Sequence, residues 1–399
     1  MRAHTTILAR CKLTRAGYQR MFQIRRSLSW LYNQALEQRK TAWESDKKNV
    51  SYFDQCRRLT LLRREDPQGL GAIALGPQRG MLKRLDEAFQ AFFSRLKAGQ
   101  DPGYPRFKPL SRCVTIDVTQ LGPRMVRKQG QRYVIRIRGF PRIECFPSRE
   151  LPGGHRLKSL RLTLRGRRWE ASLAYAVQKQ ALPSCTRAVG VDLGVRKRMT
   201  LSNGAVHAGH RRDWREIRRL KRKVSRCKRG SKNRRKAMAR LARFWRRESV
   251  RERNACHRAT TGIIRKHGLV AVERLRVANM TRSARGTKEE PGKNVAQKAG
   301  LNREILSQNW SLLRNQLQYK AAWAGREYVE VDPKFTSRDC HRCGARNDPG
   351  QSETYECRAC GLVTDRDVNA AINVLAAGVL AAGASTWAAG PCVAPEPYT

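Results

Sequence analysis

The spacing Cys340-x2-Cys343-x13-Cys357-x2-Cys360 constrains this chain more tightly than any other feature of it. A glycine follows each pair, Gly344 in "CHRCG" and Gly361 in "CRACG". Two tight turns of this kind present four thiolates to one tetrahedral ion, at Zn–S distances of about 2.3 Å. A redox dithiol needs only one C-x-x-C, so the matched pairs predict one structural zinc ion. His341 lies inside the first pair and is read as contacting solvent or backbone, since four thiolates already close the shell. The other cysteines (Cys11, Cys56, Cys113, Cys145, Cys185, Cys227, Cys256, Cys392) are scattered singly. They read as reduced residues, mostly small core fillers, and not as a disulfide framework.

Charge narrows the partner. Lys and Arg number 83 against 32 Asp and Glu, a net charge of +51 over 399 residues, which calls for a polyanion. A membrane is the poorer candidate, because no apolar run reaches the ~18 residues of a spanning helix and "MRAHTTILAR" lacks a signal peptide's apolar core. Nucleic acid and a cytoplasmic location are expected. A hydrophobic content of 40% argues for folded units with real cores, about two to four at this length.

Along the chain the hydrophobic period changes twice. After a strand-like "HTTILARCKL" the pattern becomes helical from Thr14, a candidate N-cap, with Tyr18, Phe22, Leu28, Leu31 and Ala35 predicted to share a face. Further helices surround "FDQCRRLTLLRRE" and Leu82, Leu85, Phe89, Phe92 and Leu96, and "DPGYP" ends this unit. From Cys113 the period is two, as in Leu160, Leu162, Leu164 and Trp169, Ala171, Leu173, Tyr175, which predicts antiparallel sheet. The economical arrangement is one β-barrel that starts with the first ten residues and is interrupted by the helices. A linker, "KQALPSCTR", leads to two strands in "RAVGVDLGVRKRMTLSNG", then to a long basic helical region broken near Gly230. The buried strand "LVAVERL", another helix, the strand "REYVEVDP", the cysteine segment and a final apolar helix from about Thr364 complete the third part.

Three acids stand where acids are out of character. Asp192 interrupts an apolar strand, and Glu273 ends an equally apolar one after a helical crossover, so parallel pairing of the two strands brings the carboxylates side by side. Asp367 opens the last helix. Taken singly each has an ordinary reading: a turn aspartate before Leu193-Gly194, an ion pair of Glu273 with Arg274 or Arg276, and a helix N-terminal acid that Asp365 or Thr364 could replace. Together, in so basic a chain, they point to two magnesium ions acting on a phosphodiester.

The motifs "GYPRFK" (103–108), "GVDLGV" (190–195), "VAVERLRVANM" (270–280), "LQYKAAWAG" (317–325), "VDPKFTSRDCHRCG" (331–344) and "CRACGLVTDRDVNAAINVL" (357–375) resemble, in this order, those of TnpB-type RNA-guided nucleases of transposons. That group overlaps with the compact type V CRISPR effectors. The resemblance implies a multidomain α+β chain. Its expected parts are a β-barrel wedge domain (1–13 and 103–182), a helical recognition insertion (14–102), a RuvC-like nuclease domain of RNase H fold (183–335 and 363–384), a zinc-ribbon-like target-loading segment (336–362) and a disordered tail (385–399). It implies Asp192, Glu273 and Asp367 as Mg2+ ligands, the last because it stands two residues before Asn369-Ala370-Ala371. It also implies a guide RNA, double-stranded target DNA, and bacterial, nucleoid-associated work.

For nucleic-acid contact, Tyr104 and Phe107 flanked by Arg106 and Lys108 suit base stacking beside phosphate contact, or else an aromatic loop plug. Arg218, Arg222, Arg226, Arg234, Arg235 and Arg247 suit a cradle for a heteroduplex backbone. Arg338, beside the cysteines, is a candidate for stabilising transition-state charge. Competing readings are an unguided RuvC-like nuclease or resolution protein using the same acids, and a non-catalytic nucleic-acid binder. The helical insert and barrel ahead of Asp192 favour guidance over the former, and the intact acids favour catalysis over the latter.

Overall fold

A computed structural model describes residues 2–122, 124–153, 155–178, 181–210, 212–287, 289–350 and 352–383, in two compact units. One is Arg2–Gln178; the other is formed by the chain after Gln178. The expected tail, 385–399, lies outside the described residues. Among the described residues no helix is long and apolar enough to cross a membrane.

In the first unit β1 (Arg2–Lys12) is followed by α1 (Arg15–Asp46), α2 (Tyr52–Glu65) and α3 (Leu75–Lys97). Six strands come after: β2 (Thr115–Val118), β3 (Val126–Gln129), β4 (Arg132–Ile135), β5 (Ile143–Pro147), β6 (Leu157–Arg165) and β7 (Arg168–Gln178). They form one antiparallel sheet in the order β2-β6-β7-β1-β5-β4-β3. The first strand therefore sits between β7 and β5, with Ile7 opposite Leu173 and Cys11 opposite Cys145, and the helices interrupt a sheet that later residues complete. The two-residue period does what it predicts: Ile116, Leu160, Leu162, Trp169, Ala171 and Leu173 are buried.

Thr14 caps α1, its side chain accepting from Gly17 N at 3.0 Å. The buried stripe of α1, however, is Met21, Ile24, Leu28, Leu31, Tyr32 and Ala35, whereas Tyr18 and Phe22 are 38% and 51% exposed. At about 100° per residue these two lie well off the stripe centred on Leu28, so the buried face is narrower than the sequence pattern predicts.

The second unit contains β8 (Ala188–Asp192), β9 (Met199–Leu201), β10 (Val206–His207), α4 (Trp214–Ser225), α5 (Lys232–Lys266), β11 (Leu269–Glu273), α6 (Val277–Met280) and α7 (Val295–Ser307). It continues with α8 (Trp310–Ala324), β12 (Glu327–Val331), β13 (Thr354–Glu356), β14 (Val363–Asp365) and α9 (Arg366–Ala381). Five strands make a mixed sheet, β10-β9-β8-β11-β12, in which β8, β11 and β12 run parallel and β9 runs antiparallel to β8. Val189, Val191, Val270 and Val272 point to one face and pack with Ile263 of α5 and Leu313 and Leu317 of α8. Leu269, Ala271 and Val331 point to the other and meet Val374 of α9. Two glycines let α9 lie against the strands: a Cβ on Gly190 would come within 2.0 Å of Ala371 O, and one on Gly378 within 2.2 Å of the Ala271 side chain. With both faces covered, the apolar runs of β8 and β11 are accounted for.

Candidate active site and metal centre

Parallel pairing of β8 with β11 sets Val191 opposite Val272, so Asp192 and Glu273 leave neighbouring strands at the same end of the sheet. This is the adjacency expected from the sequence. Asp367, in the first turn of α9, acts on the same place. Burial, then the charges of Glu273 and Asp367, hold the Asp192 carboxyl well above the usual range, with Arg366 opposing them. Glu273 is 5% exposed, and burial raises it too, offset by hydrogen bonds from Thr336 and from the Leu193 N–H. Thr336 Oγ1 donates to Glu273 Oε1 at 2.7 Å.

Asp365 and Asp367 are told apart by their partners. Asp365 caps α9, its Oδ1 accepting from Asp367 N at 2.9 Å and Val368 N at 3.1 Å, and its Oδ2 pairs with Lys197 Nζ. Burial would raise its carboxyl, but the Lys197 contact and the capped N–H groups hold it below the ordinary value. Asp367 makes only longer contacts, 3.6 Å to Lys197 Nζ and 3.8 Å to Arg366 Nε. The cap is thus occupied by its neighbour, which leaves the Asp367 carboxylate available beside Asp192. The charges of Glu273 and Asp367 both raise Asp192, and carboxylate oxygens suit a hard cation such as Mg2+; among the described residues the group of three or more candidate ligands already within ligating distance of one another is the four cysteines.

The four cysteines converge. Their sulfurs lie within 4.8 Å of one another, with Cys340 to Cys360 at 3.7 Å and Cys343 to Cys357 at 3.6 Å. A tetrahedron with ~2.3 Å Zn–S bonds has edges of about 3.8 Å, which these two close pairs match. Both turns have one construction. Cys340 N donates to Ala345 O and Gly344 N to Cys340 O; Cys357 N donates to Leu362 O and Gly361 N to Cys357 O. Gly344 and Gly361 have φ of 74° and 66°, the left-handed conformation that keeps glycine at these places.

The sequence reading missed how this knuckle is fastened to the acids. Asn369, fully buried on α9, accepts from His341 N at 3.0 Å, meets His341 Nδ1 at 2.9 Å and donates to Asp339 O at 2.9 Å. Asn373, one turn on, donates to Thr336 O and Asp339 O. His341 is half-buried and also faces an asparagine side chain. The signal was present as two asparagines four residues apart in an otherwise apolar helix, where buried amides require partners.

Other candidates are dispersed. The half-exposed Arg338 guanidinium lies 4.0 Å from Asp348; the arginine that reaches the acids is Arg366. Arg218, Arg222, Arg226, Arg235 and Arg247 are exposed along α4 and α5. Arg234 is half-buried instead, donating to Val224 O and Cys227 O, so it fastens the turn between those helices. Tyr104 packs edge-on against Phe89 and Phe92, at 5.6 and 5.4 Å between centroids, and is 46% exposed; Phe107 is 56% exposed beside the exposed Arg106. Lys108 Nζ lies over the Tyr32 ring at 5.0 Å.

Comparison with known proteins agrees with this architecture. Residues 310–374 match the family described as "Cas12f1-like, TNB domain", and residues 172–284 match one described as "Probable transposase". InsQ of Escherichia coli (strain K12), provisionally named an RNA-guided DNA endonuclease, is 30% identical over 382 residues, covering 92% of each chain. A Streptomyces pristinaespiralis protein, also named provisionally for that activity, is 32% identical and covers 88% of this chain and 83% of its own. The solved structure of a Cas12f1-sgRNA-target DNA complex superposes with a TM-score of 0.57 at 15% identity, over 91% of this chain and 83% of that one, a likeness of fold. By these relationships the chain belongs to the TnpB family of RNA-guided nucleases, with the mixed α/β multidomain fold of the compact type V effectors.

Proposed function

We propose that the chain is an RNA-guided, Mg2+-dependent DNA endonuclease that cuts next to a short flanking motif with a RuvC-like site of Asp192, Glu273 and Asp367. The observation that carries this is the placement of Asp192 and Glu273 at the same end of the paired strands β8 and β11, with the Asp367 charge among those that raise Asp192. The sheet order, one antiparallel strand followed inward by parallel ones and flanked by helices, supports an RNase H fold for the second unit. The sheet of the first unit supports a wedge barrel interrupted by a recognition insertion, and the segment 336–362 supports a zinc-ordered loader of target strand. Partners follow from the relatives' names and from the charge: guide RNA and double-stranded DNA target.

Asp192, Glu273 and Asp367 would hold two Mg2+ ions, which when bound supply an activated water and charge neutralisation at the scissile phosphate. The chain's own part is positioning. Thr336 and the Leu193 N–H fix the Glu273 carboxylate, the Asp365 cap fixes the first turn of α9, and Asn369 and Asn373 tie that helix to the knuckle. Base pairing to the guide would supply the sequence specificity.

The test is to express the protein with its native genomic flanks and sequence the nucleic acid that copurifies, before and after a high-salt wash. One discrete RNA with a constant scaffold and a variable end, required for Mg2+-dependent cleavage, is expected. A heterogeneous pool that washes away, with cleavage surviving RNase, would replace guidance by an unguided nuclease, since nonspecific phosphate contacts fall steeply with salt.

A further inference from the structure

The outward face of β2, β6 and β7 holds a cavity of about 530 Å³ in the first unit, and its lining is unlike a protein–protein contact. Strand alternation sends Leu160, Leu162 and Ala171 to the core, and Thr115, Arg161, Thr163, Arg165 and Ser172 to this side. Arg84 of α3 and Lys108 and Arg112 of the loop before β2 complete it. Five cationic side chains thus meet two carboxylates. Asp117 holds Arg84 and Arg161, and Glu170 holds Arg165 at 2.8 Å. Among the described residues no carboxylate pairs with Lys108 or Arg112.

The backbone that carries Lys108 and the exposed Arg112 is itself held in place. Asn33 takes both polar groups of the Lys108 peptide, accepting from its N–H at 2.8 Å and donating to its carbonyl at 3.2 Å, and Ser29 Oγ donates to the same carbonyl at 2.8 Å. Arg25, one turn earlier on α1, donates to Leu110 O and Cys113 O. Three residues spaced by four on one helix therefore clamp the segment 108–113. Burial, then the Arg84 charge, lowers the Lys108 ammonium below its usual value, with Cys113 and Asp117 opposing them. Convergent cations on a fixed frame, with three hydroxyls among them, match the oxygens of a phosphate.

We infer that this cavity is a preformed site for one phosphodiester of a nucleic-acid backbone, with Lys108 and Arg112 as its principal ligands and Arg165 at its rim. The inference rests on the nucleic-acid reading above and gives it a definite address in the first unit, apart from the carboxylates of the second. RNA and DNA present the same group, so the test has an arm for each.

Full-length protein, stripped of copurifying nucleic acid, is titrated with a labelled single-stranded RNA and with a labelled DNA duplex over a series of KCl concentrations. The variants are Arg112→Gln, Lys108→Met, and the control Lys128→Gln, which removes an exposed charge elsewhere in the unit. Loss of one phosphate contact lowers the slope of log Kd against log salt by about 0.9 on duplex and about 0.7 on single strands. Arg112→Gln and Lys108→Met are expected to do this in one arm, which names the strand that sits there, while Arg112→Lys retains most of the slope and Lys128→Gln changes neither arm. Unfolding midpoints confirm that each variant is folded. Unchanged slopes in both arms, or an equal loss in Lys128→Gln, would overturn the site. Failure of the nuclease reading shows separately, as absence of cleavage by the wild type, a quantity these titrations do not use.

Discussion

Thr336 Oγ1 donates a 2.7 Å hydrogen bond to Glu273 Oε1 across 63 residues of sequence, while the Thr336 carbonyl accepts from Asn373 of α9. One residue thus joins a carboxylate on β11, the helix that carries Asp367, and the start of the cysteine knuckle. Partners that orient a metal-binding carboxylate are worth about 10- to 100-fold in affinity or activity. Thr336→Val is expected to weaken Mn2+ binding, read by calorimetry, by roughly 10-fold. Thr336→Ser is expected to restore it. Equal Mn2+ affinity in Thr336→Val and wild type would remove Thr336 from the positioning role.

Close packing of α9 on the sheet predicts a second effect. A methyl group on Gly190 would meet Ala371 O at 2.0 Å and Leu375 N at 2.6 Å, both backbone atoms that cannot turn aside. Gly190→Ala is expected to lower stability by about 1–3 kcal/mol or more through overpacking. It should also displace the helix that holds Asp367. Gly300→Ala, where nothing lies within 4 Å of the added carbon, serves as the matched control. Both are read by denaturant unfolding, and equal midpoints would contradict the contact.

The zinc centre predicts about one tightly held Zn2+ per chain by metal analysis, lost in Cys340→Ser or Cys357→Ser. Because Tyr355, fully buried between Cys340 and Cys357, has few apolar neighbours, the segment has too small a core to hold without its ion. Chelation is therefore expected to open 336–362 to limited proteolysis and to lower cleavage, through the Asn369 and Asn373 contacts. Active, carefully purified protein free of zinc would refute the assignment.

The adjacency of Asp192 and Glu273 was legible because each contradicts an apolar strand, and the crossover between them implied parallel neighbours. The convergence of the four cysteines was legible because spacing and glycines are local properties. Asp367 needed the family resemblance, since any acid in a first turn has an ordinary explanation as a cap. The partners of Thr336, Asn369 and Asn373 were not legible: each lies 28 to 63 residues away, and no local pattern selects it. Arg234 shows the same limit in reverse. In a helix so rich in arginine, sequence cannot say which guanidinium turns inward to hold a pair of carbonyls.

Lys320 predicts a pH effect. Its Nζ donates to His257 O, Thr260 Oγ1 and Thr261 Oγ1, and burial lowers it to about 8. An unfolded lysine titrates near 10.4, so between about 8 and about 10.4 the unfolded chain binds a proton that the folded chain has released. This group therefore disfavours folding below pH 8, and its penalty fades as pH rises through that window. Measured against Lys320→Met, which shares every other titration, the wild type is expected to gain relative stability from pH 7.5 to about 10. A difference that stays flat with pH would show that the amine keeps its ordinary affinity for protons.

Asp365 and Asp367 stand two residues apart at the start of α9 and make opposite predictions. Asp365 caps the helix and pairs with Lys197, so Asp365→Ala is expected to cost about 1 kcal/mol of stability, the usual worth of an N-cap, while most cleavage remains. Asp367 neither caps nor makes a close ion pair, and its charge is one of those that raise Asp192. Asp367→Asn removes that charge at nearly constant shape, so it is expected to abolish Mg2+-dependent cleavage, to leave nucleic-acid binding intact and to leave the unfolding midpoint equal or higher. Asp192→Asn and Glu273→Gln are expected to abolish cleavage likewise. The decisive comparison is cleavage against stability across the two neighbours: an inactive Asp365→Ala beside an active Asp367→Asn would move the third carboxylate of the site from one to the other.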